Sequence, residues 1–179
     1  VAQEADREQM QPAPVDLPVQ RHEHAHVVAG RVQVLGERAA DVGGTWRDNT
    51  YPGAACDVPS NLYSYSFAPN PSWSRSFATG PEILAYIRDF AVREELLPYV
   101  RFGHEVVAAR FEDDRWCVTT REHGELRARV LLLASGPLAN ASWPSIEGID
   151  AFEGTKIHSA RWDHGYDFTG KRVAVIGTG

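Results

Sequence analysis

The stretch of residues 43–57 contains the residue types that a ligand site needs. Its two adjacent glycines let the backbone approach a ligand closely or adopt positive φ. Trp46 offers a flat apolar face with one N–H donor, and Asp57 offers a carboxylate. Pro52-Gly53 predicts a turn, because proline fixes φ and glycine tolerates the next position. The stretch predicts a shaped, irregular loop, either an ordinary surface loop or one built around a ligand.

Two stretches of the chain have spacings that resemble the signatures of one enzyme family. The first reads Gly-x-Trp, four residues, Tyr-Pro-Gly, three residues, Asp. The second reads Phe-x-Gly, three residues, His, three residues, Trp. Both are similar to signatures of the Baeyer–Villiger monooxygenases and related flavin-containing monooxygenases, and the resemblance covers roughly residues 32–179. The matching positions are Gly44, Trp46, Tyr51, Pro52, Gly53 and Asp57 in the first, and Phe152, Gly154, His158 and Trp162 in the second.

The resemblance implies a flavin-dependent monooxygenase that uses NADPH and FAD to insert one oxygen atom of O₂ into a ketone, giving an ester or lactone. A small ketone-like molecule and O₂ would be its substrates, in a dry pocket that protects the reactive cofactor. Two alternatives stay open: a sister enzyme that oxygenates amine nitrogen or sulfur, and an inactive remnant. The sister family usually has Tyr or Phe at the position of Trp162, so the sequence favours the first.

The resemblance also implies roles for individual residues. The family pairs the carboxylate at Asp57 with an arginine beside the flavin, which would lie beyond Gly179; Asp57 is therefore the implied catalytic residue. Glu37 would hold the adenosine ribose, and the four residues of the second signature would couple domains. Trp46 and Tyr51 could equally be packing residues. The implied cofactor-binding residues are Glu37, Gly43, Gly44, Thr45, Trp46, Tyr51, Pro52, Gly53, Asp57, Tyr63, Gly136, Gly177 and Gly179.

Composition describes a globular chain of 179 residues, 43% hydrophobic and 10% aromatic. A net charge of −6 disfavours nucleic acid as a partner, because no basic stripe could neutralise phosphates. Cys56 and Cys117, the only cysteines, predict neither disulfides nor a metal site and fit a reducing cytoplasm. The sequence contains no apolar run of about 18 residues, so no membrane span is predicted, and no signal peptide is expected. Composition does not indicate an oligomeric state.

The elements that must position these residues alternate between strand and helix. Residues 32–35 predict a strand, and Thr79-Gly80-Pro81-Glu82 has the form of a capping box that starts a helix over 81–95. Tyr63, Tyr65 and Phe67 alternate with serines and predict a short extended segment. Antiparallel strands are predicted within 105–129. The apolar run 129–134 predicts a buried parallel strand that opens onto a ligand at Gly136.

These elements and the resemblance imply an α/β, FAD/NAD(P)-binding Rossmann-like fold of the flavoproteins with two dinucleotide-binding domains, incomplete at both ends. Residues 31–150 would form a partial FAD-binding domain, and residues 151–170 an interdomain linker. Residues 171–179 would begin an NADPH-binding domain with a strand at 173–176 and Gly177-x-Gly179. A flexible glycine tail is the alternative for the last residues.

Residues 1–30 are predicted to be atypical and disordered. The resembled family has a Gly-x-Gly-x-x-Gly turn before the strand at 32–35, where backbone N–H groups bind the FAD pyrophosphate. No such turn occurs in residues 1–42, so weak or absent FAD binding is expected. The histidines at 22, 24 and 26 predict a solvated polar run rather than a metal site, because no Cys, Asp or Glu completes a convincing ligand set with them.

Overall fold

The computed structural model describes residues 24–29, 32–136, 138 and 141–177, with side chains from residue 35 onward. The described elements are β1 (His24–Ala29), β2 (Val32–Glu37), α1 (Thr45–Asp48), α2 (Gly80–Arg93), β3 (Val100–Arg101), β4 (Val106–Glu112), β5 (Arg115–Thr120), β6 (Gly124–Ala128) and β7 (Val130–Leu133). Short 3-10 helices cover Leu97–Tyr99, Ile149–Ala151 and Ser159–Arg161. This mixture of helices and strands confirms the predicted α/β class.

The chain folds as two compact units. The first unit contains Val1–Gly44 and Ile87–Asn140, and the second contains Thr45–Tyr86 and Ala141–Gly179. None of the helices in the described part of the chain is long and apolar enough to cross a membrane.

The larger sheet of the first unit has the strand order β3-β2-β1-β7. β2 and β3 are parallel, and α2 lies in the connection between them, as in the doubly wound α/β proteins. β1 is antiparallel to both of its neighbours, β2 and β7. The predicted strand at 32–35 is therefore confirmed within β2. Its neighbour β1 is antiparallel to it, whereas a crossover unit would place a parallel strand there.

Two predictions about this sheet are wrong. Residues 24–29 form β1, which pairs with β2 in register, so the prediction of disorder fails for these six residues; residues 1–23 and 30 lie outside the described residues. β7 was predicted to be buried and parallel, yet it is antiparallel to β1 and exposes Val130, Leu132 and Leu133 by 51%, 58% and 61%. Both errors arise because a strand depends on its pairing partners, which the local sequence does not indicate.

The second sheet is the antiparallel meander β4-β5-β6, as predicted. Asp113 and Asp114 connect β4 to β5 with φ of 50° and 57°, which is the backbone of a two-residue hairpin turn. A small core forms where one face of the meander is buried, with Val106, Ala109, Val118 and Ala128 as its buried members. β6 ends at Ala128 and β7 begins at Val130, and the two strands belong to different sheets because β6 pairs with β5 and β7 pairs with β1.

Helix α2 is confirmed almost as predicted, and its buried face carries Ile83, Phe90 and Ala91. The carbonyl of Thr79 accepts from the N–H of Ile83 at 3.0 Å and so begins the helix. The predicted capping box is incomplete, because the Glu82 carboxylate accepts from the N–H of Ser74 at 2.7 Å and from its hydroxyl at 2.9 Å. The acidic side chain fixes the preceding loop instead of the helix start.

The predicted strand at 173–176 does not form within residues 171–177. Val173, Val175 and Ile176 are exposed by 59%, 84% and 66%, and no strand among the described residues pairs with them. An isolated strand cannot satisfy its backbone groups, so the segment stays irregular. Gly177 has φ of 95°, and Gly179 lies outside the described residues.

Candidate functional site

The 45–57 loop begins with one turn of helix, α1, where the sequence predicted an irregular loop. The carbonyl of Thr45 accepts from the backbone N–H of Asn49 at 2.9 Å and from its side-chain amide at 3.0 Å. These two bonds close the turn, which explains the departure from the prediction. Gly43 and Gly44 precede it with φ of 118° and 48°, confirming that the glycine pair adopts left-handed backbone.

The predicted turn at residues 51–54 is present. The N–H of Ala54 donates to the carbonyl of Tyr51 at 3.1 Å, and Gly53 has φ of 82°. Pro52 precedes a glycine of positive φ, which is the arrangement of a type II turn. The turn reverses the chain and directs it toward residues 78–80.

An antiparallel contact then fixes the end of the loop. The N–H of Gly80 donates to the carbonyl of Ala54 at 2.8 Å, and the N–H of Cys56 donates to the carbonyl of Ala78 at 2.9 Å. Ala54, Cys56 and Ala78 are buried. The backbone immediately before Asp57 is therefore held by hydrogen bonds and by packing.

Trp46 and Tyr63 form a hydrogen-bonded aromatic pair. The indole Nε1–H donates to the Tyr63 hydroxyl oxygen at 3.0 Å, and the ring centroids are 5.7 Å apart at 85°. A Cβ at Gly80 would lie 3.5 Å from Trp46, so the start of α2 packs on the indole. The Tyr63 proton has no acceptor among the described residues, which leaves it able to donate to a ligand.

Asp57 lies exposed directly after the fixed backbone. No hydrogen bond or ion pair holds its carboxylate within the described residues. The neighbouring Val58 N–H donates weakly to the Cys56 sulfur, at 3.4 Å, and not to Asp57. The arrangement offers a carboxylate that can orient a cationic group brought to it.

The aromatic residues that follow do not form the predicted extended segment. The N–H of Ala68 donates to the carbonyl of Tyr65 at 2.9 Å, which closes a turn, and the rings of Tyr65 and Phe67 stack at 5.5 Å. The Tyr86 hydroxyl donates to the Ala68 carbonyl at 2.8 Å. Burial raises the pKa of the Tyr65 phenol above its ordinary value of 10.0, and Tyr86 and Tyr63 raise it further.

Two of the predicted cofactor-binding residues, Glu37 and Gly136, lie in the first unit. One carboxylate oxygen of Glu37 accepts from the N–H of Ala39 at 2.9 Å, and the Glu37 carbonyl accepts from the N–H of His104 at 2.9 Å. The side chain thus turns toward its own backbone. Gly136 has space around it for a Cβ, but its φ of 65° is a backbone conformation that residues with side chains rarely adopt.

The second signature forms a compact segment in the second unit. The Phe152 ring lies over Gly154, where any added Cβ would overlap the ring. His158 turns inward: Nδ1 accepts from the N–H of Ala160 at 3.0 Å, and Nε2 lies 3.3 Å from the Ser142 carbonyl oxygen. The Trp162 and Phe168 rings stack at 5.5 Å. These residues stabilise their own segment.

The sequence interpretation missed a contact between this segment and the 45–57 loop. The Oγ1 atom of Thr50 lies 2.7 Å from Nε2 of His164, and both residues are exposed. Neither position belongs to a signature. The turn composition Asp163-His164-Gly165 is the sequence signal that could have located the histidine, although not its partner.

Comparisons with known proteins match most of the chain. The model of the flavin-binding monooxygenase-like family matches residues 29–179. A Baeyer–Villiger monooxygenase of Streptomyces coelicolor is 52% identical over 148 residues, covering 82% of this chain and 28% of the relative. An uncharacterized monooxygenase of Mycobacterium tuberculosis is 54% identical over 143 residues, covering 80% of this chain and 29% of the relative.

Solved structures give the same result. Oxidized steroid monooxygenase bound to NADP matches with TM-score 0.68 and 50% identity, covering 80% of this chain and 29% of that one. OTEMO in complex with FAD and NADP matches with TM-score 0.71 and 42% identity, again covering 80% and 29%. The chain therefore spans less than a third of the length of the proteins it matches.

Proposed function

The chain belongs to the flavin-binding monooxygenase-like family, and we propose that it supplies the cofactor-facing loop of an FAD- and NADPH-dependent monooxygenase. The proposed reaction inserts one oxygen atom of O₂ into a ketone to give an ester or lactone. The relatives described as Baeyer–Villiger monooxygenases support the ketone as substrate class. FAD, when bound and reduced by NADPH, would supply the oxygen chemistry.

One observation carries the proposal: the carboxylate of Asp57 is exposed, and the backbone just before it, at residues 54–56, is held by hydrogen bonds to residues 78–80. A carboxylate that is attached to a fixed backbone and lacks a partner among the described residues suits the orientation of a cation. The cation, in turn, would stabilise negative charge that develops beside the flavin, a form of preorganised electrostatics. Asp57 would thus act on the reaction through the group it orients.

The 45–57 loop fits the flavin end of the cofactor. Trp46 presents a half-buried indole whose orientation is set by Tyr63 and by the start of α2. The Tyr63 hydroxyl accepts from the indole and keeps its own proton for a ligand acceptor. Gly43, Gly44 and Gly53 give this part of the chain the backbone freedom that a close approach requires.

The described residues do not fit the pyrophosphate end. Binding there normally uses backbone N–H groups at a helix N-terminus beyond the carboxyl end of a parallel strand. Beside β2 lies the antiparallel β1, and the Glu37 carboxylate is bonded to the Ala39 N–H. We therefore expect these residues alone to bind FAD weakly.

The same sheet supports a second candidate function, an inactive remnant that binds no flavin. Its specific support is that β1 fills the position beside β2 without forming a phosphate turn among the described residues. The two candidates differ in one measurable property. A remnant retains no flavin and consumes no NADPH in response to any substrate.

The 179-residue chain alone is expected to be inactive. The proposal is therefore tested by following NADPH oxidation by the chain extended to the length of its relatives, with added FAD and O₂, in the presence of a cyclic ketone, a tertiary amine or a thioether. We expect the ketone to stimulate NADPH consumption and an ester or lactone to appear by mass spectrometry. Stimulation by the amine or thioether alone would assign the chain to the sister activity. No stimulation and no flavin retention would favour the remnant.

A further inference from the structure

The signature histidine is occupied within its own segment. His158 uses Nδ1 to accept from the N–H of Ala160 and directs Nε2 toward the carbonyl of Ser142. The edge of its ring meets Trp143, with centroids 5.5 Å apart at 76°. Both ring nitrogens therefore have partners between residues 142 and 160. His158 stabilises this segment and has no ring nitrogen left to contact the 45–57 loop.

His164 occupies a different position, at the tip of a turn that follows the signature. One carboxylate oxygen of Asp163 accepts from the N–H of Gly165 at 2.8 Å, and the Asp163 carbonyl faces the N–H of Tyr166 at 3.4 Å. Tyr166, which ends the turn, packs edge-to-face on Phe168, with ring centroids 4.8 Å apart. A turn held in this way presents the His164 ring outward.

The partner of His164 lies in the middle of the 45–57 loop. Thr50 separates α1, which carries Trp46, from the turn at residues 51–54, which leads to Asp57. Its Oγ1 atom is 2.7 Å from His164 Nε2. Loop residues on both sides of Thr50 are hydrogen-bonded within the loop. A restraint on Thr50 therefore also restrains the backbone that carries Trp46 and Asp57.

We propose that His164, acting through Thr50, is the positioning residue that joins the 45–57 loop to the segment after the second signature. This inference rests on the proposed function, because the position of Trp46 and Asp57 matters to a reaction only beside a bound flavin. Both partners are exposed, so water competes for the bond and it opens readily. The link orders the loop while leaving it able to move.

Two amide substitutions at position 164 distinguish loss of the hydrogen bond to Thr50 from loss of the imidazole ring itself. Glutamine places its amide nitrogen near the position of His Nε2, whereas asparagine places it near Nδ1. His164→Gln should therefore keep the bond to Thr50, and His164→Asn should lose it. Thr50→Val removes the hydroxyl at nearly constant shape. His158→Gln is the control, because it perturbs contacts inside the signature segment only.

The readout is hydrogen exchange of the amides in residues 49–54, measured by mass spectrometry on the protein without NADPH or ketone. We expect His164→Asn and Thr50→Val to exchange about two- to tenfold faster, the effect of one exposed hydrogen bond. His164→Gln and His158→Gln should exchange like the wild type. The double variant of His164→Asn with Thr50→Val should exchange no faster than either single variant.

Equal effects of Gln and Asn at position 164, additive effects in the double variant, or a matching effect of His158→Gln would each overturn the link. Ketone-dependent NADPH oxidation by the wild type tests the proposed function separately. If the exchange pattern appears and no ketone is oxygenated, the link stands and the proposed function falls. If ketones are oxygenated and exchange is unchanged, the link falls alone.

Discussion

The indole nitrogen of Trp46 donates to the hydroxyl of Tyr63 over 3.0 Å, and the two rings meet at 85°. The bond joins α1 to a residue seventeen positions later and fixes the plane of the indole. Because both side chains are half-buried, loss of the acceptor leaves an N–H donor that water can satisfy only in part.

Tyr63→Phe should therefore lower the free energy of unfolding by about 1–2 kcal/mol, the cost of an unsatisfied, partly buried donor. Chemical denaturation of the purified protein measures this. Tyr166→Phe serves as the matched control, because the Tyr166 hydroxyl makes no hydrogen bond to the described residues and its removal should cost little. Equal stability losses in the two variants would contradict the assigned bond.

In the chain extended to the length of its relatives, Asp57→Asn should reduce ketone oxygenation roughly a hundred- to thousandfold, as expected for about 3–4 kcal/mol of preorganised charge. NADPH consumption should continue and release hydrogen peroxide instead of ester. Asp57→Ala should show a loss at least as large. Because the carboxylate is exposed and makes no bond to the described residues, the free energy of unfolding should change little in either variant.

Glu153→Gln is the control for Asp57, since it neutralises another exposed carboxylate outside the loop. Peroxide yield and melting temperature distinguish a catalytic role from a structural one. Normal coupling in Asp57→Asn together with a lowered melting temperature in Asp57→Ala would assign Asp57 to the turn alone.

Gly154→Ala should destabilise the protein only when Phe152 is present. The added Cβ would overlap the Phe152 ring, which is 59% exposed and can swing into water at the cost of its packing on the backbone. In the Phe152→Ala background, Gly154→Ala should be neutral or slightly stabilising. Denaturation of the two single variants and the double variant gives the coupling, and additive effects would rule out this contact.

Stability should fall above about pH 10 through Tyr65. Burial, Tyr86 and Tyr63 raise the pKa of this phenol above 10.0 in the folded protein. Above the unfolded pKa, the unfolded phenol has lost its proton while the folded one retains it, so the unfolded state binds fewer protons and the free energy of unfolding decreases with pH.

Tyr65→Phe should remove this contribution and flatten the decline between pH 10 and the folded pKa. Denaturation midpoints of wild type and variant across that range measure the difference. Identical slopes in the two proteins would show that Tyr65 titrates in the folded protein as it does in the unfolded chain.

Local chemistry accounts for the parts of the structure that the sequence predicted. Pro52-Gly53 is sufficient for its turn, because proline and glycine restrict the backbone without help from distant residues. The spacing of Ile83, Ile87 and Phe90 likewise predicts α2. The meander follows from alternating side chains and from the Asp113-Asp114 turn.

Distant pairings account for the parts that it missed. The direction of β7 depends on β1, which precedes it by a hundred residues, and no pattern within 130–133 indicates that partner. The Glu82 carboxylate could cap its own helix or bind Ser74, and only the folded loop decides between them. His164 and Thr50 are 114 residues apart and belong to no common motif.

Among the described residues, β7 lies at the edge of its sheet, and this has a practical consequence for handling the protein. Its residues, Val130-Leu131-Leu132-Leu133, contain no charge, proline or glycine, and three of the four side chains are exposed. Natural sheets guard such edges with lysine, proline or bulges, because unpaired backbone groups recruit strands from other molecules. Unless another part of the protein covers this edge, concentrated solutions should aggregate through it, and a lysine at position 132 would improve solubility.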